Sequence, residues 1–159
     1  MRRIRLAALT TLLVATAAPV FADATLFIGA NTTPESRQVR GFAVGAGLLI
    51  IGFEFEYANT SEDAAEVAPG LKTFMGNVLL QTPIAFFGLQ PYFTTGAGAF
   101  RETLDTRDET NVGLNTGGGV KISLFGPLRA RVDYRAFNLK GDALHDVVNR
   151  LYVGANLKF

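Results

Sequence analysis

The chain alternates between apolar and polar positions over most of its length. In LRARVDYRAF, Leu128, Ala130, Val132, Tyr134 and Ala136 share one parity, and Arg129, Arg131, Asp133 and Arg135 share the other. Ile51, Phe53, Phe55 and Tyr57 oppose Gly52, Glu54, Glu56 and Ala58. Val112, Leu114, Val120 and Ile122 oppose Asn111, Gly113, Asn115, Gly117, Gly119 and Lys121. The closing LYVGANLKF sets Leu151, Val153, Ala155, Leu157 and Phe159 against Tyr152, Gly154, Asn156 and Lys158. A period of two marks β-strands, and no useful 3.6-residue stripe appears beyond residue 22. The pattern predicts eight strands, at about 24–32, 38–48, 51–60, 70–82, 89–102, 110–124, 128–139 and 148–159. Most are long enough to cross a bilayer at a tilt, which takes about 9–11 residues.

The connections alternate too. NTTPESRQ, TSEDAAEVAPG, TLDTRDE and KGDALHD are longer and polar, while LLII, TPIAFFG and FGP are short and apolar. Long loops at one end and tight turns at the other are the habit of an outer-membrane barrel. The longest apolar run past residue 22, GFAVGAGLLIIGF, is too short for a membrane-spanning helix and contains four Gly. It reads as two strands meeting at a turn near Leu49–Ile50. The expected fold is therefore all-β: an eight-stranded antiparallel up-and-down transmembrane β-barrel.

Parity alone does not say which face looks inward. A soluble barrel would bury the apolar face and display Gly45, Gly47, Gly96, Gly98, Gly113, Gly117 and Gly119, a poor hydrated surface. An eight-stranded lumen, just wide enough for side chains to fill, suits small residues better. Charge argues the same way. A lipid-facing Arg near the midplane costs about 2–4 kcal/mol, so Arg129, Arg131 and Arg135 on one strand must avoid lipid. Inside a dry lumen they need partners. The sequence offers Glu54 and Glu56 on the third strand and Asp133 among the arginines themselves. A lumen charge network of Glu54, Glu56, Arg129, Arg131, Asp133 and Arg135 is expected, with Lys121 and Glu102 as outer members.

The first residues bound the setting. MRRIRLAALTTLLVATAAPVFADA begins with Arg2, Arg3 and Arg5, runs apolar from Leu6 to Ala18, and exits through small residues. That is the layout of a secretory signal peptide. It is expected over residues 1–22, with the cut after Ala22, or alternatively after Ala24, leaving one domain from 23 to 159. Its loss takes Lys+Arg from 15 to 12 against 14 acidic residues, so the exported chain is near −2. No basic patch points to nucleic acid. With no Cys there is no disulfide and no thiolate metal site.

The leader, the eight alternating strands, PYFTTGAGAF at 91–100 and the terminal LYVGANLKF together resemble the small outer-membrane β-barrel superfamily, which includes the OmpA transmembrane domain, OmpX and the opacity proteins. The resemblance spans essentially the whole exported chain. It implies a monomer in the cell outer membrane, in contact with outer-membrane lipids and lipopolysaccharide, with no cofactor. It also implies that Phe159, preceded by Val153, Ala155 and Leu157, is the signal read by the barrel-assembly machinery. The chain departs from the group in lacking Trp for an interfacial girdle, which Phe53, Phe55, Tyr57, Phe74, Phe86, Phe87, Phe93, Tyr134 and Phe159 would have to supply.

Some barrels of this kind modify lipid A with a His, a nearby Ser and a carboxylate. Here the single His145 lies in KGDALHDVV beside Asp142 and Asp146, Ser36 and Ser61 fall in other loops, and Ser123 sits at the opposite end. The acidic loops TSEDAAE and LDTRDE match no metal-ligand spacing. GFAVGAG and NTGGGV lie inside alternating strands, not at a strand-to-helix turn, which excludes a nucleotide cradle. The expectation is a structural or envelope-interaction protein without catalysis. The alternatives are a narrow porin-like channel for small solutes and a lipid-A-modifying barrel enzyme.

Overall fold

The computed structural model describes residues 20–33, 35–62, 68–104, 107–141 and 146–159. Eight strands follow one another: β1 (Val20–Asn31), β2 (Arg37–Leu48), β3 (Ile51–Thr60), β4 (Gly70–Gln81), β5 (Leu89–Leu104), β6 (Arg107–Phe125), β7 (Leu128–Leu139) and β8 (Val147–Lys158). Each pairs antiparallel with its neighbour in sequence, and β1 pairs with β8 to close the barrel. Closure leaves no unpaired edge, which is what a sheet needs in hydrocarbon.

The register sets the geometry. A row of paired residues starting at Ala24 runs through Val44, Phe55, Gly76, Ala97, Leu114 and Asn138 to Val147. The partner of Ala24 on β8 is Leu157, so the row returns ten residues out of step. At about 3.3 Å per residue that is ~33 Å of stagger around a perimeter of ~38 Å, a strand tilt of about 40°. Each residue then climbs only about 2.5 Å along the barrel axis.

The surface is inverted relative to a water-soluble fold. Phe53, Phe93, Val112, Val153 and Leu26 face outward and are about half exposed or more. Arg131, Arg135, Arg150, Glu56 and Lys121 are among the largest fully buried side chains. The inward glycines make that filling sterically feasible. A Cβ at Gly117 would meet the backbone of Tyr134 and the Arg135 side chain, and one at Gly119 would meet the Tyr92 hydroxyl.

Two strand ends differ from the sequence expectation. The β5–β6 hairpin continues to Leu104↔Arg107, across what reads as a polar loop, and an Arg101–Asp108 ion pair spans its outer face. β1 reaches back to Val20, paired with Leu48, into the last residues assigned to the leader. The rest of that leader, residues 1–19, lies outside the described residues.

Candidate functional site

The lumen is filled in three storeys. The middle one is ionic. Arg131 and Arg135 on β7 and Arg150 on β8 meet Glu54 and Glu56 on β3 and Asp133 on β7, three cations against three carboxylates, all 4 % exposed or less. Period two makes this possible: Arg131, Asp133 and Arg135 stack on one inward column of β7, and Glu54 and Glu56 do so on β3. Arg131 donates through both terminal nitrogens to Glu54, the second at 3.2 Å, and also reaches Asp133 at 2.9 Å. Arg135 Nη2 donates to Glu54 at 2.9 Å and its Nε to Asp133 at 3.0 Å. Its Nη1 lies 3.0 Å from Glu56 but off the hydrogen-bond axis, an ionic contact without the directional bond. Arg150 Nη1 donates to Glu56 at 3.2 Å.

Two tyrosines complete this layer. The Tyr92 hydroxyl donates to Asp133 and accepts from Arg131 Nε at 2.7 Å. The Tyr152 hydroxyl donates to Glu56 at 3.2 Å and accepts from Arg135 at 3.1 Å. Each hydroxyl thus carries both signs of the network. The Arg131 guanidinium also lies 4.9 Å from the Tyr92 ring centre, a favourable cation–π placement. Fork-shaped guanidinium donors matched to carboxylates are the geometry in which a buried ion pair recovers most of its desolvation cost.

The storey at the tight-turn end, the periplasmic end in an outer-membrane barrel as the long-loop end is the extracellular one, is separate and smaller. Asp23 accepts from Lys121 Nζ at 2.5 Å and from Arg129 Nη2 at 3.1 Å. Neutral amides assist: Arg129 donates to Gln90 and Asn156, each at 2.8 Å. Thr25 links the storeys, its hydroxyl accepting from Asn156 at 2.8 Å and from Arg131 at 3.3 Å.

The extracellular storey combines two apolar clusters with buried polar groups: Asn31 donates to Thr60 at 2.8 Å, and Arg37 and Glu102 are buried. Leu71, Met75, Phe100, Phe137, Leu139 and Val148 form one buried cluster inside the barrel. Phe27, Val39, Ala58 and Tyr152 form another, with the Phe27 and Tyr152 rings stacked 4.2 Å apart. The Arg150 guanidinium sits 4.3 Å from the centre of the Phe137 ring, so the ionic storey and the first of these clusters meet face to face.

Of the six residues expected to form one network, Glu54, Glu56, Arg131, Asp133 and Arg135 come together. Arg129 does not join them. Two residues nearer the turn, it belongs to the Asp23 cluster, and so does Lys121. Glu102 is buried near the extracellular end of β5. Sequence reasoning missed Arg150, Tyr152 and Tyr92, although their inward parity was visible, and missed Asp23, which lay between the two candidate leader cuts. It also did not foresee the apolar cap. His145, Asp142 and the tips of the acidic loops (63–67 and 105–106) fall outside the described residues. Ser36 and Ser61 lie at the extracellular end and Ser123 at the opposite one, near the end of β6. Among the described residues no group of His, Asp or Glu is arranged to hold a metal ion. On the outer rim, the hydrogen-bonded Arg101 guanidinium holds the Asp108 carboxyl below the usual carboxylate range.

No protein-family profile matches the chain, and no curated protein matches it in sequence. Solved structures do match. The N-terminal β-barrel domain of Pseudomonas aeruginosa OprF superposes with a TM-score of 0.67 at 14% identity, covering 87% of this chain and 97% of that one. Neisserial surface protein A (NspA) gives 0.66 at 19% identity, over 88% and 96%. The outer membrane enzyme PagL gives 0.55 at 12% identity, over 85% and 98%. At such identities the likeness speaks for the fold. The chain therefore shares the closed, eight-stranded up-and-down β-barrel fold of these outer-membrane proteins, with an apolar exterior and an ionic interior.

Proposed function

We propose that this barrel is a structural or envelope-interaction protein of the outer membrane that neither conducts solutes nor catalyses a reaction. The observation that carries the reading is the filled lumen: a buried apolar cluster above a charge-balanced storey, with fully buried Arg131, Arg135 and Arg150 crossing the axis to Glu54 and Glu56. A conduit for small solutes needs a continuous hydrated path, and here buried side chains occupy each of these levels. PagL has this fold and is an enzyme, so the fold alone does not exclude catalysis. Ser123 lies at the opposite end of the barrel from the β7–β8 connection, which leaves Ser36 and Ser61, in other connections at the same end, as the serines an enzymatic reading would need. Replacing His145 with Ala should leave the lipid A of expressing cells unchanged; a change that depends on His145 would make the protein an enzyme.

The exterior supports partners of two kinds. Outer-membrane lipids and lipopolysaccharide would meet the apolar belt. The barrel-assembly machinery would read the outward residues Val153, Ala155, Leu157 and Phe159 of the last strand, of which Phe159 is 74% exposed. No observation calls for a second protein chain, and the proposed state is a monomer. Planar-bilayer recording tests the sealed lumen: the purified barrel should insert silently, and a steady ohmic conductance would favour the narrow-channel reading. That reading has one feature in its favour. Asn77, Gln81, Thr94 and Asn115 on β4–β6 each carry a buried polar side-chain atom without a hydrogen-bond partner, which marks the wall a hydrated path would follow.

A further inference from the structure

The two rims of the barrel are chemically opposite. At the extracellular rim the outward positions turn cationic and polar: Arg40 on β2, Asn59 on β3, Lys72 on β4 and Arg101 on β5 are paired in one row. At the other rim the turns carry no charged residue. The β2–β3 turn is Leu49–Ile50, the β4–β5 connection is TPIAFFG (82–88), and β6 enters its turn through Leu124 and Phe125. These side chains point away from the barrel: Phe87 is fully exposed, Phe125 is 73% exposed and Ile84 is 63% exposed.

Two backbone positions show that the apolar tips are held against local preference. Leu49 and Phe87 have φ of 55° and 51°, the left-handed region that favours Gly or Asn. Phe87 and Gly88 both have positive φ, as in a type I′ hairpin turn, whose first central residue is usually Asn, Asp or Gly. A polar residue at either tip would suit both the backbone and an aqueous periplasm.

Barrel dimensions say what the tips are for. On β2, β3 and β4 the outward face is apolar from Leu48, Ile51 and Leu80 up to Phe42, Tyr57 and Phe74, and the first polar residue on each strand follows two positions later. Eight residues separate Leu48 from Arg40, and Leu80 from Lys72, which at a tilt of about 40° is roughly 20 Å of height. An outer-membrane barrel presents an apolar band about 25 Å tall. The strands of this sector fall short by about 5 Å, and the turns extend the apolar surface downward without a break. We infer that the three turns are seated in the periplasmic leaflet of the outer membrane, with Phe87, Phe125 and Leu49–Ile50 at the boundary between phospholipid headgroups and acyl chains. They replace the missing Trp girdle at that interface and extend the lipid contact of the belt. The inference does not depend on whether the lumen conducts.

The chain contains no Trp, so one introduced reporter reads its own position without background. Phe87→Trp, Phe125→Trp and Ile84→Trp would each be refolded into phosphatidylcholine vesicles with and without acyl-chain-brominated lipid, and folding checked by heat modifiability. Ser36→Trp, at the polar rim, is the water-exposed reference. The expected result is blue-shifted emission at the three turn positions, quenched by bromolipid and insensitive to acrylamide, with the opposite behaviour at Ser36. If one variant fails to fold, the other two still report. Folded turn variants that emit like Ser36→Trp, quenched by acrylamide and not by bromolipid, would overturn the inference and leave the apolar turns as a surface for a periplasmic protein or a second copy of the chain.

Discussion

The middle and periplasmic storeys of the lumen are both ionic, yet they are built differently. In the middle, three guanidinium groups face three carboxylates, each carboxylate is shared by at least two cations, and both tyrosine hydroxyls relay between them. Near the periplasmic mouth one carboxylate, Asp23, serves two cations, and neutral amides from Gln90 and Asn156 supply the rest. Depth explains the difference. A fully buried cation has no recourse but an opposing charge, because an uncompensated charge in a low-dielectric interior is far more costly than an unmet amide. Arg129, whose side chain is 7% exposed, tolerates a looser arrangement than Arg131, at 0%. Neither cluster need exceed a well-packed apolar core in stability, since replacing a whole buried ion network by hydrophobes is often neutral. What both do is penalise the loss of a single member.

The largest expected effect follows from removing both central acids. Glu54→Gln with Glu56→Gln leaves Arg131 and Arg135 sharing Asp133 and takes from Arg150 the carboxylate it bonds. At about 3–5 kcal/mol for each broken buried pair, the folded band on an unboiled gel should be lost, or the surviving barrel should conduct. Unchanged melting together with a silent bilayer would mean that the middle storey is not a coupled unit. Asp23→Asn should cost less, about 1–3 kcal/mol in the denaturant midpoint, because amides and a partly open mouth share the load. A cost equal to that of Glu56→Gln would erase the distinction between the storeys. Tyr152→Phe removes one hydroxyl between Glu56 and Arg135 and should cost about 1 kcal/mol. Asp108→Asn, on the exposed Arg101 pair of the β5–β6 hairpin, should leave the melting temperature unchanged.

The same contrast bears on export. Asp23 lies between the two candidate leader cuts. A cut after Ala24 would strip Lys121 and Arg129 of their shared carboxylate, whereas a cut after Ala22 keeps it. We propose the latter, so the N-terminal residue of the protein purified from outer membranes should be Asp23. A chain beginning at Thr25 would require another acid for Lys121.

Much of this was legible because a strand's parity is a nearly complete statement of which side chains share a face. The bounds of β3 and β7, the inward columns of Glu54–Glu56 and Arg131–Asp133–Arg135, and the inward glycines follow from period two and the cost of charge in lipid. What parity does not carry is height. Arg129 and Arg131 share a face but sit two residues apart, enough in a lumen this narrow to assign them to different partners. Partners across the barrel depend on the ten-residue stagger, which no single strand reveals. The apolar cap was hidden for a related reason. Leu71, Phe100 and Phe137 come from strands far apart in sequence and look like isolated exceptions until closure brings them together. The β5–β6 hairpin ran longer than expected because Arg101 and Asp108, polar and loop-like in sequence, are neighbours across a ladder.

The central claim is the inversion itself, with the apolar parity in lipid and the ionic parity inside. The chain has no Cys, so single nitroxide labels at Phe53→Cys and Val132→Cys in vesicles test it directly. Collision with molecular oxygen, enriched in hydrocarbon, should be high at both sites, and collision with a water-soluble nickel chelate should be low. Labels that are immobile and shielded from both reagents, or open to the nickel chelate, would place Phe53 and Val132 inside or in water and contradict the account.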